Sequence, residues 1–309
     1  MEKSGVVLQN HCIVECCMIF LNIITMKDRK GFKCINCDSK KCKDVYTKLP
    51  DRFLGKEGVF DYVRCSRCGL FQLKHIPDNM SYYYEDYDVH QDKSFIYKLF
   101  FELLMSGCYP LSINGSGKLL DIGCGNGWYM QKMQKKGWET YGLEHDEKYS
   151  NEISEKIGCP VYKDMESFNK YESFFDVITF NYSFEHLIDP VKTLKTVNIL
   201  LKKGGVLHIS VPNIDCIEAK IFAKNWFALD APRHTVLYTK KQLSDLLIRT
   251  GFEVKGIKQF PTPTSFAGSI SYLLMGKLNY KIWYLNIIPG ILFNTIFRHT
   301  CFRIIAVKP

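Results

Sequence analysis

The chain predicts an α/β fold: a mostly parallel, seven-stranded sheet with helices on both faces, preceded by a small cysteine-bearing region. Three observations carry that expectation. From residue 118 onward, short apolar runs alternate with stretches of helical period. A glycine-rich segment, Asp121-Ile-Gly-Cys-Gly-Asn-Gly127, joins the first apolar run to the first helical one. Near the C-terminus, residues 252–257 and 302–307 supply two further strand-like runs. Alternating strands and helices pack as crossover units, which put helices on both sides of a parallel sheet.

Each element has a local reason. Residues 118–122 read as a buried strand, and 128–136 as a helix closed by Gly137. Residues 140–143 form the second strand, and the helix 147–157 ends at Gly158. A short third strand precedes Asp164, and 175–180 is the fourth. The helix 190–201 opens on Pro190, whose missing N–H is harmless in a first turn, and Gly204-Gly205 follow its end. Residues 206–211 form a strand stopped by Pro212, and Thr239 opens a helix through Arg249 with Gly251 beyond it. The segment 266–297 is rich in Leu, Ile, Phe, Tyr and Trp, but Lys277, Lys281 and Pro289-Gly290 interrupt it. It lacks the ~20 uninterrupted apolar residues of a membrane span. It predicts helices inserted between the last two strands, serving as a lid, a dimer face or a rest on a membrane surface.

Bulk properties set bounds. The 309 residues are 46% hydrophobic and 24% charged, as expected of a folded protein with a sizeable core. The formal net charge of +9, concentrated in the Lys-rich residues 27–48, suits an anionic partner or a solvated basic face. Nucleic acid is the less favoured partner of that kind. Thirteen cysteines without the spacing of a secreted disulfide framework point to a reducing, cytoplasmic setting, with peripheral membrane contact open. Residues 12–25 are apolar but too short to cross a bilayer, and they carry Glu15. Residues 1–26 are read as an N-terminal extension, with translation starting at Met26 and residues 1–25 outside the native chain.

The glycine segment is the strongest chemical signal. Glycines at 123, 125 and 127 let backbone approach a ligand closely at the carboxyl end of a strand. A dinucleotide fingerprint would place the third glycine one residue later, where Trp128 stands, which argues against NAD. With Asp121, Gly123, Gly125 and Gly127 in this order, the sequence resembles the class I S-adenosylmethionine (SAM)-dependent methyltransferases, which have a Rossmann-like sheet. The resemblance implies that the loop, with Asn126, wraps the amino-acid end of SAM. It implies that Glu144, after the second strand, takes the ribose hydroxyls, and that Asp164, Met165 and Asn181 complete the site.

Cys34-Ile-Asn-Cys37 and Cys65-Ser-Arg-Cys68 form two Cys-x-x-Cys knuckles, a usual ligand set for structural zinc. Four thiolates leave no open position, so such a zinc would be structural. Knuckles, the tyrosines Tyr82, Tyr83 and Tyr87, and a SAM domain in this order resemble methyltransferases of sugars or their nucleotide-linked precursors. In that setting the tyrosines are candidates to stack on a sugar ring.

A hydroxyl acceptor must lose its proton during in-line methyl displacement, and His186 and His234 are the candidate bases. His186 lies in Phe184-Glu-His-Leu-Ile-Asp-Pro190, after the fourth strand, and His234 follows Arg233, a candidate for a substrate phosphate. The division expected is a zinc-ribbon-like region 27–80, a helical linker 81–115 and a methyltransferase domain 116–309 carrying the insertion 266–297. The function expected is SAM-dependent methyl transfer to a hydroxyl or carbon of a sugar or related small molecule. The alternatives are an RNA or DNA methyltransferase, or a SAM-fold module without activity.

Overall fold

A computed structural model describes residues 31–85, 108–113, 115–297 and 299–309. The N-terminal extension with Met26, the bulk of the expected linker, and Tyr87 lie outside the described residues. The strands in chain order are β1 (Cys42–Pro50), β2 (Val59–Cys65), β3 (Phe71–Leu73), β4 (Gly117–Ile122), β5 (Trp138–Leu143), β6 (Val161–Tyr162), β7 (Phe175–Asn181), β8 (Leu201–Pro212), β9 (Val236–Leu237), β10 (Glu253–Phe260) and β11 (Cys301–Val307). The helices are α1 (Trp128–Gln134), α2 (Glu147–Ile157), α3 (Pro190–Leu200), α4 (Ile217–Phe222), α5 (Lys240–Arg249), α6 (Pro263–Met275), α7 (Tyr280–Leu285) and α8 (Ile287–Ile296).

Seven strands make the large sheet, in the order β10-β11-β8-β7-β4-β5-β6. The pairs β8–β7, β7–β4, β4–β5 and β5–β6 are parallel, while β11 runs antiparallel to both of its neighbours. The chain winds outward from β4 to β5 and β6, then returns to β7 on the other side. The carboxyl ends of β4, β5 and β7 therefore meet at the switch point where open α/β sheets hold ligands. The central strands carry buried side chains on both faces, including Leu119, Leu120, Ile178, Phe180, Leu207 and Ile209. Each fully buried aliphatic contributes about 1.5–3 kcal/mol relative to exposure.

Caps hold the helices in place. Asp146 accepts the Tyr149 amide at the start of α2, and Gly158 closes that helix with φ 69°. Asp189 accepts the Lys192 amide ahead of Pro190, and Thr239 and Gln242 form a reciprocal capping box on α5. β8 starts at Leu201, five residues earlier than its apolar run suggests. Gly204 turns at φ 77°, its amide bonds to the Lys308 carbonyl, and Leu201 pairs with Phe175. Backbone pairing thus brackets residues 202–205 across a register shift, and those residues carry no apolar signal.

The small sheet has the order β1-β2-β3-β9, all antiparallel. β9 comes from residues far along the chain, so this sheet joins the cysteine-bearing region to the segment just after His234. Arg233 strengthens that junction. Its Nη2 and Nη1 reach the two Asp51 oxygens at 2.7 and 2.9 Å, its Nε reaches both Asp230 oxygens at 3.1 Å, and Nη1 also donates to the Tyr83 carbonyl at 3.0 Å. The guanidinium is fully buried, with the Asp51 and Asp230 charges raising its pKa against the cost of burial. The expectation of a phosphate-binding Arg233 is corrected accordingly: the fork faces two carboxylates of its own chain. A sequence cannot show that Asp51, 182 positions away, is folded against it.

Replacing Arg233 with Met would leave two carboxylates buried without their cation. The expected loss is about 3–5 kcal/mol of unfolding free energy, read from urea denaturation. A loss below about 1 kcal/mol would show that the cluster is relieved by water, contrary to its burial.

Candidate active site

The loop after β4 bends over the end of β5. Amides of Gly123 and Cys124 bond to the Leu143 carbonyl at 2.8 and 3.1 Å. Gly123, Gly125 and Gly127 all have positive φ, at 78°, 52° and 75°. At Gly127 an added Cβ would stand 1.9 Å from Ile157 Cδ1 and 3.0 Å from Ile153 Cγ2, so α2 packs directly behind the loop. Asn126 Oδ1 accepts the Trp128 amide at 3.0 Å and fixes the entry to α1.

Two acids expected from the sequence lie on either side of this loop. Asp121, at the end of β4, accepts the Thr179 hydroxyl at 2.6 Å and the Asn181 amide nitrogen at 3.0 Å. Strand register places Thr179 directly beside it. Burial pushes the Asp121 pKa up to about 7 against these two donors. Glu144, after β5, accepts the Gly125 amide on Oε2 at 3.1 Å. Its Oε1 is buried with no hydrogen-bond partner among the described residues, and burial raises the pKa to about 8 despite nearby backbone amides. A carboxylate oxygen held this way fits a ligand that brings hydroxyl donors, such as a ribose. The glycine bend and this orphaned acceptor together fit SAM.

Asp164 is used differently. Its Oδ1 accepts both the amide and the hydroxyl of Ser167, at 2.9 and 2.8 Å, which lowers its pKa through the Ser167 hydroxyl first. It thereby fixes the turn Glu166–Phe168, beside the buried Met165.

At the end of β7 a second buried group forms. Glu185 and His186 lie on the 3₁₀ turn Phe184–His186, and His234 enters from the loop that carries Arg233. The imidazoles of His186 and His234 are 4.6 Å apart and nearly perpendicular. His234 Nδ1 donates to the Ala228 carbonyl at 2.7 Å, since a carbonyl only accepts; its Nε2 is 4.0 Å from Glu185 Oε1. The Tyr84 hydroxyl is 2.9 Å from His186 Nδ1; among the described residues, neither His186 Nε2 nor either Glu185 oxygen has a hydrogen-bond partner. Burial lowers the pKa of both histidines and raises Glu185 to about 8.

The structure thus brings His186 and His234 together and adds Glu185, Tyr84 and Thr179, which sequence reading missed. Glu185 had a signal, its place in the Glu-His-Leu run; Tyr84 and Thr179 had none beyond residue type. Tyr82 and Tyr83 pack on the small-sheet region instead: Tyr83 stands edge-on to Phe60 and bonds to the Glu57 carbonyl, and Lys56 covers the Tyr82 ring.

The four knuckle cysteines also converge. Cys34 and Cys68 sulfurs are 3.5 Å apart, Cys37 and Cys65 sulfurs 3.6 Å, and all four lie within 4.8 Å of one another. Disulfides would need about 2.05 Å. Ligation of one tetrahedral zinc at about 2.3 Å would separate sulfurs by about 3.8 Å, so the donor set fits that ion.

The buried carboxyls carry a pH prediction. Asp121 and Glu218 are pushed to about 7, Glu144 and Glu185 to about 8, from ordinary values of 3.8 for Asp and 4.5 for Glu. The buried histidines His186, His208 and His234 are shifted down, so their opposing effect ends near 6.5. Between about pH 6.5 and 8 the folded state holds more protons than the unfolded one, and unfolding free energy falls as pH rises. Urea titrations across that interval test this; flat or rising stability would mean that these acids are ionised in the fold.

A family model described as "Methyltransferase domain" matches residues 98–255, just over half of the chain. Among curated relatives, the ubiquinone biosynthesis O-methyltransferase of Ruegeria pomeroyi is 28% identical over 168 residues, covering 50% of this chain and 67% of that protein. The protein of the same name from Actinobacillus pleuropneumoniae serotype 7 is 31% identical over 107 residues, covering 31% of this chain and 46% of its own length. The chain thus spans from under half to about two thirds of these relatives. Among solved structures, the complex of the Haloferax volcanii Trm112 methyltransferase activator with a methyltransferase aligns at TM-score 0.51 and 12% identity, over 67% of this chain and 89% of that one. A SAM-dependent methyltransferase from Archaeoglobus fulgidus aligns at TM-score 0.47 and 21% identity, over 69% and 99%. The chain belongs to the methyltransferase domain family and is a SAM-dependent methyltransferase.

Proposed function

We propose that this enzyme transfers the methyl group of SAM to a hydroxyl oxygen of a sugar or a related small molecule. One observation carries the hydroxyl reading: two neutral imidazoles and a carboxyl are buried together beside the end of β7, with hydrogen-bonding capacity left over. SAM supplies an electrophilic methyl on a sulfonium. The chain supplies the acceptor's alignment and a place for its proton. With Nδ1 protonated toward the Ala228 carbonyl, His234 presents a lone pair on Nε2, the form a general base needs. Glu185, 4.0 Å away and with its pKa raised to about 8, stabilises the imidazolium where its own carboxyl is ionised. His186, positioned by Tyr84, is the other candidate base. The relatives' names, O-methyltransferases of ubiquinone biosynthesis, support oxygen as the methylated atom. The sugar class rests on the resemblance of the knuckle and tyrosine pattern. The four cysteines are proposed to hold one structural zinc, supported by their sulfur spacing.

Incubation with labelled SAM against sugar-nucleotide and glycan pools tests the acceptor, read as a mass shift on an oxygen. Labelling of carbon alone, or of RNA alone, overturns the reading. Glu144→Ala is expected to weaken SAM binding by about 1.5–3 kcal/mol, roughly 10- to 150-fold, in calorimetry. Unchanged affinity would remove Glu144 from the site. His234→Ala is expected to lower turnover about a hundredfold with SAM affinity intact, and normal turnover would pass the role to His186. Metal analysis of purified protein is expected to find zinc that Cys34→Ser and Cys65→Ser each release; equal content in all three would refute the cysteine assignment.

A further inference from the structure

The helices between β10 and β11 lie beyond the family match and expose several large apolar side chains. In α8, Ile288, Leu292 and Ile296 share one face, four residues apart, and are 70%, 60% and 73% exposed. The opposite face buries Ile287, Gly290 and Asn294. α6 is buried or half-buried from residue 264 through Tyr272, Ala267 as well as Ser265, Ser269 and Ser271, and exposes Leu273, Leu274 and Met275 at its end; Leu285 on α7 is exposed too. A surface helix normally buries its apolar stripe and shows its polar one. The three helices pack on one another, with the Phe266 ring of α6 tilted against that of Phe293 of α8 at 4.6 Å between centroids, so their outward faces belong to one unit.

The segment that carries these helices has formal charge of one sign. No Asp or Glu occurs from residue 254 to 309. Lys277 and Lys281, in and beside the turn joining α6 to α7, are exposed. A second copy of the chain would meet this face about a two-fold axis, opposing the same lysines to one another. An anionic surface pairs with them instead. None of the helices among the described residues is long and apolar enough to cross a membrane. We infer that α6–α8 dock the enzyme flat onto an anionic lipid surface, the exposed Ile and Leu side chains entering the acyl boundary and Lys277 and Lys281 meeting phosphate headgroups. The unit is coupled to the site. Ser269 Oγ accepts the Phe227 amide at 2.9 Å, and the next residue, Ala228, holds His234.

The test is co-sedimentation of the full chain with vesicles of phosphatidylcholine, alone or mixed with phosphatidylglycerol. Binding to the mixed vesicles, reduced by high salt, is expected. The triple variant Ile288→Ser, Leu292→Ser, Ile296→Ser is expected to weaken it by roughly tenfold or more, and K277E with K281E by a similar factor. SAM affinity, measured alongside, should stay unchanged, since none of these residues belongs to the methyl-donor site. That keeps a failed docking idea separate from a failed enzyme assignment. Absence of vesicle binding, full binding by the triple variant, or a dimer that the triple variant dissociates in light scattering without lipid attachment would each overturn the proposal.

Discussion

The hydrogen bond from the Gly125 amide to the Glu144 carboxylate holds the donor site together. It ties the loop after β4 to the end of β5, so two features that look independent in sequence become one wall. Asp121 does the same on the other side, joining β4 to β7 through Thr179 and Asn181. Parallel strands alone would leave these carboxyl ends as three separate tips. Each acid has almost no contact with solvent, and a buried carboxyl lacking enough donors raises its pKa until it keeps its proton. The site's geometry and its charge state therefore have a common cause.

The second constraint is the Arg233 cluster. It fastens Asp51, at the end of the small sheet's first strand, to the loop that delivers His234. The Tyr62 hydroxyl lies 2.6 Å from the His234 carbonyl, adding a tie one residue further on. Tyr84, from the same N-terminal region, reaches His186. The cysteine-bearing region is thus built into the wall behind both imidazoles. A zinc that keeps its two knuckles together would also act, through β2, β3 and β9, on where His234 stands.

What the sequence made legible follows from the range of the forces involved. The strands β4, β5 and β7 and the helices α2 and α5 were readable because periodicity, caps and glycine stops are local. The glycine loop and Glu144 were readable because backbone approach and a carboxylate at a strand end need particular residue types. β1 was not, since its outward residues Lys43, Asp44 and Val45 interrupt any alternation. β9 is two residues long and owes its existence to β3. Arg233 was misread because a guanidinium suits an external phosphate as well as two internal carboxylates; only burial distinguishes the two. Tyr84 stood beside the tyrosines that were singled out, but a 3₁₀ turn at Met80–Tyr83 directs one neighbour to Phe60 and the next to His186.

Charge completes the account of how donor and acceptor sites differ. Burial raises the pKa of Asp121 to about 7 and that of Glu144 to about 8, so both carboxyls hold protons near neutrality. A ligand bearing a sulfonium and an ammonium changes that balance, since a positive charge favours the ionised carboxyl. Binding of the donor should then be accompanied by proton release, and the ligand itself would create the anionic form that retains it. The histidine pair works in the opposite sense. Burial and the Arg233 charge, and for His186 also the neighbouring His234, lower the pKa of the imidazoles. Both sets of shifts come from the same physical source, titratable groups buried away from solvent.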